Sequence, residues 1–176
     1  MKVRPIIPRL GVQYGAVGGL MLMLAFVIFH YLGIPGWSLI TLIISVVVIG
    51  FFTFLPIKEF KKYHNDGELR FYHGMSIAFL SYVSMALVFT LLYLIFINVI
   101  EPSYLQDKLD FQRELVITQK DQWIDQFGED SYNTRVEGLK EISAFDDVWS
   151  EFIKRVLIGF FLAPIFSIIL RTHKPR

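Results

Sequence analysis

Four long apolar runs, about 10–32, 38–57, 74–100 and 152–170, dominate the chain, and each is interrupted by few or no charges. In a helix rising 1.5 Å per residue, roughly 20 residues match a hydrocarbon core of about 30 Å, so the pattern predicts four transmembrane helices. The second run is rich in Ile, Val and Phe, which in water would suit a strand. Its unbroken apolar length and lack of two-residue alternation predict a bilayer helix instead. The fourth run is the shortest, with only the 15 residues 156–170 free of charge. Taking in Phe152 and Ile153, with Lys154 and Arg155 snorkelling outward, gives it a crossing length. The third is longer than one crossing needs, which predicts a tilt or a last turn that emerges from the bilayer.

Between the third and fourth runs the period changes. Tyr104, Leu105, Leu109, Val116, Trp123 and Phe127 recur at helical spacing and predict an amphipathic helix that ends before Gly128. Pro102 fits its first turn, and Ser103 with Gln106 offers a cap. A weaker pattern follows through Tyr132, Val136, Leu139 and Ile142. A third begins near Ala144 with Phe145, Val148, Trp149 and Phe152. The expected fold class is an all-α integral membrane protein of one domain, with four transmembrane helices and a helical insert at 101–151. The apolar stripes of that insert must bury against one another, against the bundle, or against a partner. Trp123 and Trp149 are its large apolar anchors, expected first to pack in an interior; with Phe127 they are also the candidates for partner contact.

Charge orients the chain. The stretch 101–154 holds 13 acidic and 6 basic residues, whereas the remainder holds 3 acidic and 11 basic. Lys2, Arg4 and Arg9 precede the first run, Lys58, Lys61, Lys62 and Arg70 lie between the second and third, and Arg171, Lys174 and Arg176 follow the fourth. With four crossings these three groups share one side, which the positive-inside rule makes cytoplasmic, and the acidic insert becomes extracytoplasmic. The expected location is the inner membrane of a bacterium with both termini in the cytoplasm. The first run is too long for a signal peptide and carries no cleavage pattern at its end. Pro5 and Pro8 are expected to keep the first residues out of the helix as a short basic arm. Lys58, Lys61, Lys62 and Arg70, in a loop turned by Asn65-Asp66-Gly67, are the candidate headgroup contacts. His30, Tyr31 and Trp37 fit an interfacial aromatic belt.

Two stripes of small residues predict close helix packing: Gly11, Gly15 and Gly19 in the first run, and Gly159, Ala163 and Ser167 in the fourth. The economical expectation is that they pack on one another, with self-association between copies as the rival. Thr41, Ser45 and Thr53 are expected to return their hydroxyls to the helix backbone. Pro56 marks the last turn of the second run or a kink, and Pro164 a kink in the fourth that frees one carbonyl.

Chemistry is sparse. There is no cysteine, hence no disulfide and no thiol nucleophile. His64, Asp66, Glu68 and His73 straddle a glycine turn without a ligand spacing, and neither Asp121 with Asp125 nor the doublets Glu129-Asp130 and Asp146-Asp147 resembles a calcium loop or an acid/base pair. These carboxylates are expected on solvated faces, with no cofactor and no nucleic-acid partner.

Tyr14-Gly15 with Gly18, the phrase Ile57-Lys58-Glu59-Phe60-Lys61-Lys62-Tyr63 leading through Gly67 to Phe71 and Gly74, and Ile100-Glu101-Pro102-Ser103-Tyr104 carry a resemblance over nearly the whole chain. The chain resembles a family of small bacterial membrane proteins, mostly from Bacteroidota, defined by a domain of unknown function. His64 stands where the family usually has arginine, and Glu101 where it usually has aspartate before the proline. The resemblance implies four membrane helices and no assigned activity. The expected role is a non-enzymatic accessory, scaffold or assembly component of a cell-envelope system, touching membrane lipid and other envelope proteins or a second copy. A small transporter or channel subunit and a membrane-bound sensor of cations or pH are the alternatives. A metal- or lipid-processing enzyme would need a convergent polar set near an interface, and the sequence brings none together.

Overall fold

The computed structural model describes residues 6–36 and 38–172, without the side chains of Lys140 and Glu141. The belt position of Trp37 and the charges of Lys2, Arg4, Lys174 and Arg176 lie outside the described residues. All regular structure among them is helical: α1 Ile6–Tyr31, α2 Leu39–Glu59, α3 Phe71–Ile95, α4 Tyr104–Thr118, α5 Lys120–Phe127, α6 Glu129–Glu141 and α7 Ala144–Ile169. Wide π-type turns, Phe60–His64 and Phe96–Ile100, extend α2 and α3. Four helical segments, Ile6–Tyr31, Leu39–His64, Phe71–Ile100 and Ala144–Ile169, are long and apolar enough to cross a membrane. The protein is a multi-pass helical membrane protein with further helices between its third and fourth apolar segments.

By contacts the chain divides into two compact units, Tyr93–Ser150 and the remainder. In the membrane unit, α3 supplies much of the core: Ile77, Ala78, Ser81, Met85, Ala86 and Phe89 are all buried. The glycine stripe of α1 lies against it. A Cβ added to Gly11 would stand 2.6 Å from Leu80 Cβ, and one added to Gly19 would stand 2.7 Å from Val88 Cβ. The small residues of α7 also meet α3. A Cβ on Gly159 would press into the Tyr82 ring, and Ser167 Oγ would lie 2.9 Å from a Cβ on Gly74. The two stripes thus each receive α3, which corrects the expectation that they receive one another. Small residues specify close approach of some helix, and both neighbours here are the same one. The outward surface is apolar as well, with Leu20 and Leu24 of α1, Leu42 and Phe51 of α2, Leu91 of α3, and Phe160 and Phe161 of α7 exposed. Such a surface suits lipid tails and not water.

Two prolines lie within helices: Pro8, expected in a non-helical arm, and Pro56, expected and found in the last turn of its helix. Pro8 sits in the first turn of α1, where its missing N–H would have had no intrahelical acceptor. Pro56 is buried inside α2, which runs on past it through Lys58 to Glu59. A proline deprives the carbonyl four residues earlier of its donor, and that carbonyl, Phe52 O, accepts a hydrogen bond from Ser81 Oγ of α3 at 2.7 Å. The carbonyl that the proline frees is therefore satisfied and the helix continues, and what the sequence suggested as a loop from residue 58 is largely helical. Of the three hydroxyls expected to bond back, Ser45 donates to Thr41 O at 2.8 Å, but Thr41 reaches Pro35 O outside the helix and Thr53 Oγ1 is buried without a partner.

In the Tyr93–Ser150 unit, Leu109 and Val116 of α4 and Leu139 of α6 form a small core lined by Leu105, Tyr132, Val136 and Ile142. The amphipathic helix expected to reach Phe127 is broken at Gln119, whose backbone (φ −99°, ψ 20°) leaves the helical region and separates α4 from α5. Gly128, at φ 84°, makes the sharper turn into α6 that a side chain would oppose. Ser103 makes no side-chain cap. The reciprocal cap is Ser143 with Asp146 ahead of α7: Ser143 Oγ accepts from Asp146 N at 3.2 Å, and the Asp146 carboxylate accepts from Ser143 N at 3.0 Å.

Candidate functional site

Ionised groups resist removal from water unless paired, so the charges that are buried mark candidate sites. In the Tyr93–Ser150 unit these are Lys108 of α4 and Asp147 of α7, whose side chains are 7% and 9% exposed. Lys108 Nζ donates to Asp147 Oδ1 at 2.7 Å, and Tyr93 Oη donates to Oδ2 at 2.6 Å. The ammonium also lies 5.9 Å from the centroid of the Tyr93 ring. Tyr104 stands edge-on to both Tyr93 and Phe96, closing the aromatic surround. Each oxygen of the carboxylate thus has a donor, and the arrangement ties residues 93, 108 and 147 together and does not present a base or nucleophile to a substrate. Asp147 had been expected on a solvated face. Its neighbour Asp146 is exposed, but one residue along a helix turns the side chain by about 100°, which carries Asp147 inward.

The membrane unit holds a second buried charge. The Arg155 guanidinium lies 3.4 Å from the centroid of the Phe89 ring and donates to Glu151 Oε2 at 2.7 Å and to Glu151 O at 2.8 Å. Arg155 is therefore buried, against the expectation that it snorkels with Lys154, because an aromatic face and a carboxylate within one turn replace its water. Lys154 does point outward, pairing loosely with Glu151 at 3.1 Å. Tyr14 of α1 donates to the Glu59 carboxylate at the end of α2, joining two of the phrases that carry the family resemblance.

At the end of the membrane unit formed by the 65–73 segment, the basic residues diverge. Lys61 Nζ donates to Leu170 O at 2.9 Å and so closes the C-terminal turn of α7, in addition to any role toward lipid. Lys62 covers the Tyr63 ring at 4.8 Å, and Lys58 and Arg70 are exposed. Thr172 is clasped by this segment: its N–H donates to Leu69 O at 3.0 Å, its hydroxyl accepts from Leu69 N at 2.9 Å, and the same hydroxyl lies 3.1 Å from Gly67 O. A cleft of roughly 580 Å³ beside the clasp is lined by Glu68, Leu69, Arg70, Phe71, Tyr72, Arg171 and Thr172.

Of the apolar anchors, Trp123 is half-buried against Phe127 at 5.1 Å, whereas Phe127 and Trp149 are 57% and 55% exposed. Trp149 thus does not fill an interior. Gly11, Gly15, Gly19, Gly159, Ala163 and Ser167 are buried at helix contacts. Among the described residues no three His, Cys, Asp or Glu side chains gather as metal ligands, and His73 packs on Phe60 and Tyr72. The two buried ion pairs were missed as sites. The available signal was the spacing of Asp147, Glu151 and Arg155 by four residues leading into an apolar run.

Neither curated proteins nor solved structures give a match to this chain. A family signature does match, over residues 13–172 and thus most of the sequence, and the chain belongs to that family, described as protein of unknown function (DUF4199).

Proposed function

We propose that this protein is a non-enzymatic membrane subunit that serves as an accessory, scaffold or assembly component of a bacterial cell envelope. In this reading the four apolar helices cross the inner membrane with both termini cytoplasmic, and the acidic helical unit stands on the outer side. Its support is the charge distribution along the chain, with the basic groups at Arg9, 58–70 and Arg171 on alternate connections from the acidic stretch. The observation that carries the role is the apolar surface left exposed on a unit of acidic character: Phe111, Ile117, Phe127, Phe145 and Trp149 are all at least 40% exposed. Water-facing aromatic side chains in such number suit contact with another envelope protein or a second copy. A photo-crosslinking residue at Phe127 or Trp149, in cells at native abundance, should give one reproducible adduct; a monomer with no adduct from either position overturns the role.

A small transporter or channel subunit is the second reading, favoured by Arg155 buried, with a half-buried Glu151 beside it, within a segment long enough to cross the bilayer. Reconstituted protein that carries no ion flux above empty liposomes removes it.

A further inference from the structure

The cleft beside Thr172 is lined by two arginines from positions 101 residues apart, Arg70 and Arg171. Arg70 precedes α3 and Arg171 follows α7, and the Thr172 clasp to Gly67 and Leu69 holds the chain after α7 against the segment that carries Arg70. Both arginines are exposed, and among the described residues neither is in an ion pair; Arg70 has only a 3.4 Å contact from Nη1 to Tyr72 Oη. Guanidinium groups are the side chains best matched to phosphate oxygens, because each offers parallel N–H donors. Phe71 and Tyr72 line the same cleft and open α3, so their N–H groups have no intrahelical acceptor. Glu68 supplies one carboxylate, so the described lining residues carry a net charge of one positive unit.

We infer that this cleft is a binding site for a phosphodiester, occupied by the headgroup of an anionic phospholipid whose glycerol and upper chains rest on Phe71 and Tyr72. The helices that flank the cleft also expose apolar side chains, Phe79 of α3 and Ile168 and Ile169 of α7, and this favours a lipid over free phosphate. The assignment narrows the headgroup contact expected from the sequence at Arg70 and rests on the proposed membrane placement of the four helices.

The test is retention of phosphatidylglycerol against phosphatidylcholine by the full chain, read by native mass spectrometry and by lipid-dependent thermal shift, with inorganic phosphate as competitor. Phosphatidylglycerol is expected to be retained preferentially. Arg171→Gln and Arg70→Gln should each lower that retention about tenfold, the loss of a charge-assisted contact. Thr172→Val, which keeps both arginines but removes the clasp hydroxyl, should lower it as well. Arg9→Gln, which removes an equal charge outside the cleft, should change it less than about twofold. Equal loss in Arg9→Gln and Arg171→Gln would mean diffuse surface attraction and overturn the site. Displacement of the lipid by inorganic phosphate, or a thermal shift from phosphate alone, would assign the cleft to the free anion and overturn the lipid. If the variants do not fold, the wild-type chain decides: no preference between the two lipids overturns the proposal. Release of the wild-type protein from carbonate-washed membranes would instead be a failure of the membrane placement itself.

Discussion

Replacing Lys108 with methionine keeps most of the side-chain volume and removes one charge. Asp147 is then left as a buried carboxylate with the Tyr93 hydroxyl at 2.6 Å as its only donor among the contacts described above. An exposed ion pair contributes about 0–1 kcal/mol. With side chains 7% and 9% exposed, Lys108 and Asp147 belong instead with buried pairs, where loss of one partner costs about 3–5 kcal/mol. The consequence should fall first on the Tyr93–Ser150 unit. Amide exchange of α4, measured by mass spectrometry in nanodiscs, should accelerate by about two to three and a half orders of magnitude, up to the limit set by the unit's own stability. The double variant Lys108→Met with Asp147→Leu removes both charges and should recover most of that loss, because no uncompensated charge remains. Tyr93→Phe alone should cost about 1.5–3 kcal/mol, as one hydrogen bond to a charged acceptor. A Lys108→Met cost below about 1 kcal/mol, or a double variant as unstable as the single, would refute the picture of a water-excluded pair.

Gly15→Val and Gly159→Val should each destabilise the membrane unit by about 1–3 kcal/mol or more, seen as a lower thermal midpoint, because the added carbons meet Ser84 and Tyr82 at 2.7 and 2.8 Å or less. Gly50→Ala is the contrast: its Cβ would lie 3.6 Å from Leu162 and Phe166, ordinary contact, and the smaller backbone entropy should stabilise by about 0.4–1 kcal/mol. Ser81→Ala leaves Phe52 O without its donor and should cost about 1–3 kcal/mol, but much less in a Pro56→Ala background, where the restored backbone N–H can reach that carbonyl; equal cost in both backgrounds would sink the account of Pro56. Ser143→Ala removes the reciprocal cap of α7 and should cost about 0.5–2 kcal/mol, with faster amide exchange confined to the first turn from Ala144.

The amphipathic core of the Tyr93–Ser150 unit was legible because Leu105, Leu109, Val116, Tyr132, Val136, Leu139 and Ile142 repeat at a helical period, and burial follows that period directly. The break at Gln119 was not, since no glycine or proline marks it. The small-residue stripes announced close packing and left the partner open, because a groove fits any helix of suitable slope. Adjacent aspartates at 146 and 147 read alike in sequence, yet one caps a helix in solvent and the other is buried beneath Lys108. That difference depends on a tertiary partner 39 residues away, which local pattern does not specify. Pro56 was legible as a mark of the last turn of α2, but the serine on another helix that satisfies the carbonyl it frees was not.

Within each unit the interior polar groups are largely engaged with one another. Tyr14 bonds Glu59, Ser81 bonds the Phe52 carbonyl, Arg155 bonds Glu151, and Lys108 and Tyr93 share Asp147. A group whose donors and acceptors are already satisfied in a low-dielectric setting gains little by turning to a ligand, since the old bonds must first be broken. What remains for recognition lies outward: aromatic side chains on the acidic unit, and Arg70 with Arg171 beside the Thr172 clasp. These are the groups proposed to meet a protein partner and a phosphodiester, and variants of them should alter association while leaving stability nearly unchanged. Variants of the buried groups should do the reverse, and a substitution such as Arg171→Gln that lowers stability as much as Lys108→Met would contradict that division.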